Sequence, residues 1–204
     1  MRVEIVDYGA GNLASVLKAF AAIGVDARIA AVAADIGRAR AIVVPGVGHF
    51  GATQAIGADW RAAIQGALDR GASLLGICLG MQWLFDGSDE APGVPGLGVF
   101  NGRCRRLAGD AVKVPHVGWN TLDRQATTSR LLDGIGAGNT AYFTHTFAAP
   151  VATGTTATTT HGETFASVVE RGRVYGAQFH PEKSGAIGLR LLENFVRAAA
   201  AATA

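Results

Sequence analysis

The residues with the most chemical potential lie in Leu74-Leu75-Gly76-Ile77-Cys78-Leu79-Gly80-Met81-Gln82. A buried-strand run ends at Gly-x-Cys-x-Gly and gives way to a helical pattern of Met81, Leu84 and Phe85. This is a nucleophile elbow with Cys in place of Ser. The glycines serve a tight, crowded turn. The elbow presents its side chain at a helix N-terminus, whose dipole favours thiolate. A lone cysteine at a strand end is otherwise an inert core residue, and the flanking glycines turn the reading towards a nucleophile. The second cysteine, Cys104 in a strand-like Arg-Cys-Arg-Arg run, reads as an ordinary strand residue.

A thiolate needs a base and a group to orient that base. The candidates are His49, His116, His145, His161 and His180. His180 stands out, because Val174 to Phe179 reads as a strand running into His180-Pro181-Glu182. Pro181 stiffens the link, so the Glu182 carboxylate can turn back to one ring nitrogen and stabilise the imidazolium. His-Pro-Glu alone is also the signature of a solvated loop; following an elbow, in the order Cys, His, Glu, it specifies a triad. His116 reads as a structural loop residue. Acyl transfer further requires oxyanion donors. Pro45-Gly46-Val47-Gly48 follows a strand-like run, so backbone N–H groups near Val47, with that of Leu79, could hold the developing charge. Gly46 and Gly48 would lower the cost of turning a peptide in that loop. Gly9-Ala10-Gly11-Asn12-Leu13-Ala14 fits a dinucleotide fingerprint, but Ala27 to Val32 lacks the acid that such a site wants on its ribose.

The elements that must position these groups alternate. Val3 to Val6, Val25 to Val32, Ala41 to Val44 and Leu74 to Ile77 read as strands. Leu13 to Ile23 and Trp60 to Asp69 read as helices between them. Continuous apolar runs such as Ala41 to Val44 fit central strands of a parallel sheet covered on both faces. The C-terminal half is strand-rich: Val99 to Leu107, Ala141 to Phe147, Val151 to Thr160, Thr164 to Glu170 and Val174 to Phe179, then an amphipathic helix over Ile187 to Ala200. The β-branched, polar run Thr153 to Thr160 suits exposed or edge strands. The expectation is one α/β domain over residues 1–204, mostly parallel, with an antiparallel C-terminal portion.

Composition bounds the function. With 204 residues, 49% hydrophobic and 17% charged, the chain is too apolar to be disordered and long enough for a full core. A net charge of +2, without a basic run, disfavours nucleic acid as partner. Two cysteines make no disulfide framework, so a reducing cytoplasm is expected. No signal-peptide core and no membrane-spanning run is visible.

Together these motifs resemble the class I (triad) glutamine amidotransferases. Within them the chain is similar to the glutaminase subunits of imidazole glycerol phosphate synthase, from histidine biosynthesis. The resemblance rests on Asp7 to Leu13 (DYGAGNL), Pro45 to Gly51 (PGVGHFG), Gly76 to Gln82 (GICLGMQ), Pro115 to Asn120 (PHVGWN), Tyr142 to Phe147 (YFTHTF) and Phe179 to Gly185 (FHPEKSG). Other members of the superfamily usually carry a Gly-Gly-Pro type of oxyanion loop.

The resemblance implies a three-layer, flavodoxin-like fold, with catalysis by Cys78, His180 and Glu182. Glutamine would be held by Gly46, Gln82, Glu90, Thr146 and Phe147, the last two largely through backbone. Asn12, Trp119, Tyr142 and Lys183 would face a separate (β/α)₈-barrel cyclase subunit, which would receive the ammonia in a heterodimer; Trp119 could equally be a core aromatic. No metal or organic cofactor and no membrane is implied. Other readings are a triad glutaminase of the pyridoxal phosphate synthase type, a γ-glutamyl hydrolase, a cysteine peptidase of similar fold, and a non-catalytic flavodoxin-like binding module.

Overall fold

The computed structural model describes residues 1–109, 112–125 and 128–201. The strands in chain order are β1 (Val3–Val6), β2 (Ala27–Ala30), β3 (Ala41–Val44), β4 (Ser73–Ile77), β5 (Gly87–Ser88), β6 (Arg103–Arg106), β7 (His116–Thr121), β8 (Asp123–Arg124), β9 (Thr140–His145), β10 (Phe147–Ala148), β11 (Thr155–His161), β12 (Glu163–Arg171) and β13 (Val174–Ala177). The α-helices are α1 (Leu13–Ala22), α2 (Ala58–Asp69), α3 (Leu79–Trp83) and α4 (Gly185–Ala200).

An eight-stranded sheet runs in the order β2-β1-β3-β4-β13-β12-β11-β8. The first five of these pair in parallel and the last three antiparallel. The parallel strands are short and apolar because both faces are covered, and alternation assigns each residue to one of two cores. Val3, Ile5, Val43, Leu75 and Ile77 pack with Val16 and Phe20 of α1 and Leu191, Leu192 and Phe195 of α4. Val6, Ile42, Val44 and Leu74 pack on the other side with Ile64 of α2 and Met81 and Trp83 of α3. Strand order reverses between β1 and β3, so the loops that leave them flank a crevice at the carboxyl edge, where ligands of such sheets bind.

Several boundaries differ from the sequence expectations. Of Val99 to Leu107 only Arg103–Arg106 is strand, and Val25 to Val32 shortens to Ala27–Ala30. The run Ala141 to Phe147 is broken at Thr146: β9 pairs with β7, whereas β10 pairs with β6. The Thr146 carbonyl accepts from Leu107 N–H, which draws the chain from one sheet to the other. The threonine run is exposed only at its ends, Thr153 and Thr160, whereas Thr156, Thr158 and Thr159 are buried. Their hydroxyls donate to the Val168, Asp123 and Thr121 carbonyls, which removes the desolvation penalty that made burial look unfavourable. His116 lies in β7 rather than in a loop. Among the described residues no helix is long and apolar enough to cross a membrane.

Candidate active site

Cys78 follows β4 directly and adopts φ 53°, ψ −108°, the one positive φ of a non-glycine among the described residues. Such a conformation costs about 1–3 kcal/mol and persists only where its surroundings enforce it. Here α3 starts at once and lies hard against the sheet. A Cβ on Gly80 would fall 1.8 Å from the Val44 carbonyl oxygen, and one on Gly76 would fall 2.5 Å from the Gly80 carbonyl oxygen. The flanking glycines are thus required by close approach of backbone to backbone.

His180 reaches the same sheet edge through β13, whose Ala177 sits opposite Ile77 of β4. Its backbone is clamped: the N–H donates to the Tyr142 carbonyl, and its carbonyl accepts from Ser184 Oγ at 2.7 Å. Ser184 Oγ in turn accepts from Tyr142 N–H. The imidazole Nδ1 is 2.7 Å from Glu182 Oε1, with both side chains buried. Nε2 is buried without a regular hydrogen bond, which keeps it open towards Cys78. Burial alone would push this imidazole down, but hydrogen bonding and charge from Cys78 and Glu182 outweigh it and carry the pKa up to about 10. The His180 imidazole is thus held in its charged form, with Glu182 at one nitrogen and Cys78 beside it.

A cavity of about 370 Å³ opens over Cys78. Val47, Gly48, Leu79, Gln82, Glu90, Thr146 and Phe147 all line it. Val47 is 38% exposed, and Gly48 has φ +92° with open space around it, so the distal part of the loop is free to turn. Gly46 is different, because it is buried beneath the site and a Cβ there would meet Tyr8 Oη at 2.4 Å and Leu79 Cβ at 2.6 Å. It shapes the cavity floor and is absent from the lining. Glu90 Oε2 accepts from Phe50 N–H at 2.7 Å. The Gln82 amide is also committed: Nε2 donates to the Phe147 carbonyl at 2.8 Å and to Gln178 Oε1 at 3.2 Å.

Sequence reasoning missed Gln178, Ser184 and Tyr8. Gln178 is fully buried, with Nε2 3.8 Å from Cys78 Sγ. Tyr8 places a buried hydroxyl under the Pro45–Gly48 loop, where burial first and the Cys78 charge second raise its pKa. Its position between Asp7 and the Gly-x-Gly turn was the only available hint. Cys104 is buried in β6, and burial pushes its thiol up, the reverse of an activated nucleophile.

Asn12 caps α1 through Ser15 N–H and is exposed. Trp119 is 58% exposed, which settles it as a surface rather than a core aromatic. It meets Tyr142 edge-on at 6.1 Å, and Lys183 Nζ lies 5.9 Å above the Tyr142 ring. Three of the four residues expected at an interface therefore form one aromatic and cationic cluster, with Trp119 and Lys183 exposed and Tyr142 half-buried between them.

The titrations predict a stability profile. Free imidazole titrates near 6.5 in the unfolded chain, so the His180 pairing stabilises fully below that pH and fades as pH rises towards 10. His116 and His145 behave oppositely: burial, aided by neighbouring imidazoles, pushes them down to about 4 and about 3. Below pH 6.5 the unfolded chain takes up their protons first, and stability falls. The melting temperature should decline on both sides, and Glu182→Gln should flatten the alkaline limb. Parallel alkaline limbs in wild type and variant would refute this account of His180.

The site and fold define a class. The chain belongs to the class I glutamine amidotransferases: the family model "Glutamine amidotransferase class-I" matches residues 4–199. A solved structure described as glutamine amidotransferase shares the fold with a TM-score of 0.76 at 20% identity, covering 97% of this chain and 98% of its own. Structure of PurLQS from Thermotoga maritima gives 0.73 at 17% identity, covering 96% and 97%. Within the class the similarity narrows to imidazole glycerol phosphate synthase subunit HisH. The protein of that name from Deinococcus radiodurans is 48% identical, covering 96% of this chain and 93% of its own length. That from Thermococcus kodakarensis is 46% identical, covering 96% and 99%.

Proposed function

We propose that this chain is the glutaminase subunit of an imidazole glycerol phosphate synthase, hydrolysing glutamine and passing the ammonia to a separate (β/α)₈-barrel cyclase for histidine biosynthesis. The observation that carries it is the strained Cys78 elbow beside a buried His180–Glu182 pair, under a cavity of substrate size. The Cys78 thiolate attacks the side-chain amide carbon of glutamine. The N–H of Leu79, one of the first in α3 with no intrahelical partner, and an N–H near Val47 hold the tetrahedral oxyanion. His180 gives its proton to the leaving nitrogen, and ammonia departs. His180 then takes a proton from water, which attacks the γ-glutamyl thioester; glutamate leaves and the thiolate is restored. Glu182 orients the ring and stabilises its charge throughout. Glu90 faces the α-ammonium of glutamine.

Asn12, Trp119, Tyr142 and Lys183 form the docking face for the cyclase. The backbone of Tyr142 also bonds that of His180, so this face and the triad share one rigid segment. The test is a glutaminase assay with and without a barrel cyclase and its nucleotide substrate. Stimulation supports the reading, whereas equal turnover in both would favour a γ-glutamyl hydrolase or another glutaminase. Trp119→Ala should weaken the complex about 30-fold, the effect of losing a hot-spot aromatic of about 2 kcal/mol. Titration calorimetry would show it, with the melting temperature of the isolated chain unchanged; undiminished affinity would place the interface elsewhere.

A further inference from the structure

We propose that His116 and His145 are positioning residues for glutamine: neutral imidazoles in a one-way hydrogen-bond relay that pins the Phe147 peptide in the cavity wall. The proposal deepens the glutaminase reading and rests on it for its kinetic part.

The direction of the relay is forced at both ends. At one end, Asn120 Oδ1 accepts from Thr121 N–H at 2.8 Å and Nδ2 donates to the Thr160 carbonyl at 3.0 Å. These partners have no alternative role, so it is the amide nitrogen that faces His116 Nε2, at 3.2 Å. Nε2 must then be a lone pair and Nδ1 must carry the hydrogen, which it donates to His145 Nε2 at 3.1 Å. At the other end, His145 Nδ1 lies 3.0 Å from the Phe147 carbonyl, which can only accept. Reading from that carbonyl back gives the same tautomers. Every donor meets an acceptor, and an extra proton on either ring would set N–H against N–H. Burial of both rings disfavours that charged form as well.

The relay ends where it can matter. The Phe147 carbonyl takes a second hydrogen bond from Gln82, whose other N–H reaches Gln178, which in turn points at Cys78 Sγ. Both lone pairs of that carbonyl are thus occupied, and its peptide, which joins the two residues of β10, is held just beyond the break from β9. Phe147, which carries that carbonyl, and Thr146 before it line the cavity. A pair of apolar side chains could fill the same space against Phe143 and Phe165, but could not fix the peptide.

Two measurements test this. In ¹⁵N-labelled protein, imidazole NMR should report Nδ1–H tautomers at both His116 and His145; an Nε2–H tautomer at either would overturn the relay. With the cyclase present, His145→Leu should raise KM for glutamine about tenfold, the worth of one buried hydrogen bond. Alkylation of Cys78 by iodoacetamide, which does not use the Phe147 wall, should keep its rate. His145→Asn, which retains a donor near Nδ1, should recover most of the loss. An unchanged KM, or KM, kcat and alkylation worsening together in both variants, would overturn the proposal. If His145→Leu fails to fold, Asn120→Asp serves: it cannot donate to His116, so it should raise KM more than Asn120→Ala, and equal effects would overturn the relay. Failure of the wild type to consume glutamine would instead sink the glutaminase reading, leaving the tautomer result to stand by itself.

Discussion

Cys78→Ala is expected to reduce glutamine hydrolysis by about 10⁴-fold or more, the scale seen when the nucleophile of a triad is removed. In the proposed mechanism the other groups cannot compensate, because His180 would lose the nucleophile it serves and the oxyanion donors would act only once a tetrahedral adduct forms. Folding should survive: the change removes one sulfur beneath an open cavity and leaves the Gly76 and Gly80 contacts in place. Steady-state ammonia release in the cyclase complex is the measurement, with Cys104→Ala as control. Per folded molecule the control should retain wild-type turnover, since Cys104 is buried in β6 with its thiol held neutral. Iodoacetamide should label Cys78 and spare Cys104. Residual activity in Cys78→Ala above about 1% would sink the covalent mechanism.

The second large effect is on stability. Gly80→Ala should destabilise the fold by about 3 kcal/mol or more, or prevent folding. The added Cβ would lie 1.8 Å from the Val44 carbonyl oxygen, an atom fixed in a central strand, so α3 would have to lift off β3. For a domain of this size the loss corresponds to a fall in melting temperature of about 6–12 °C. Gly93→Ala is the matched control: it is exposed, meets nothing within 4 Å and should change stability by no more than about 0.5 kcal/mol. An unaltered melting temperature in Gly80→Ala would mean that α3 does not press on the sheet.

Cys78 and the His180–Glu182 pair were legible because each depends on residues a few positions apart. Gly-x-Cys-x-Gly dictates its own turn, and His-Pro-Glu folds its carboxylate back onto its own ring. Gln178 and Ser184 were not legible, although they neighbour His180. Their roles lie in partners distant along the chain, Cys78 for one and Tyr142 for the other. The same holds for the buried threonines of β11, whose polar character suggested exposure until the Thr121 and Asp123 carbonyls came alongside. The pairing of His116 with His145 was not legible for a similar reason, since the two lie 29 residues apart.

By itself the sequence determined the alternation of strands and helices, the elbow, and the Cys, His, Glu order. Periodicity and local sterics suffice for those, because they act within one or two turns of chain. Only the tertiary structure decided that β13 lies beside β4 in parallel, with Ala177 opposite Ile77, which brings His180 to Cys78. It alone decided that Trp119 is exposed, that Gly46 is floor rather than lining, and which way the imidazole relay points. Those outcomes follow from which faces must be buried and which polar groups must find partners, and both are settled by the whole packed chain at once.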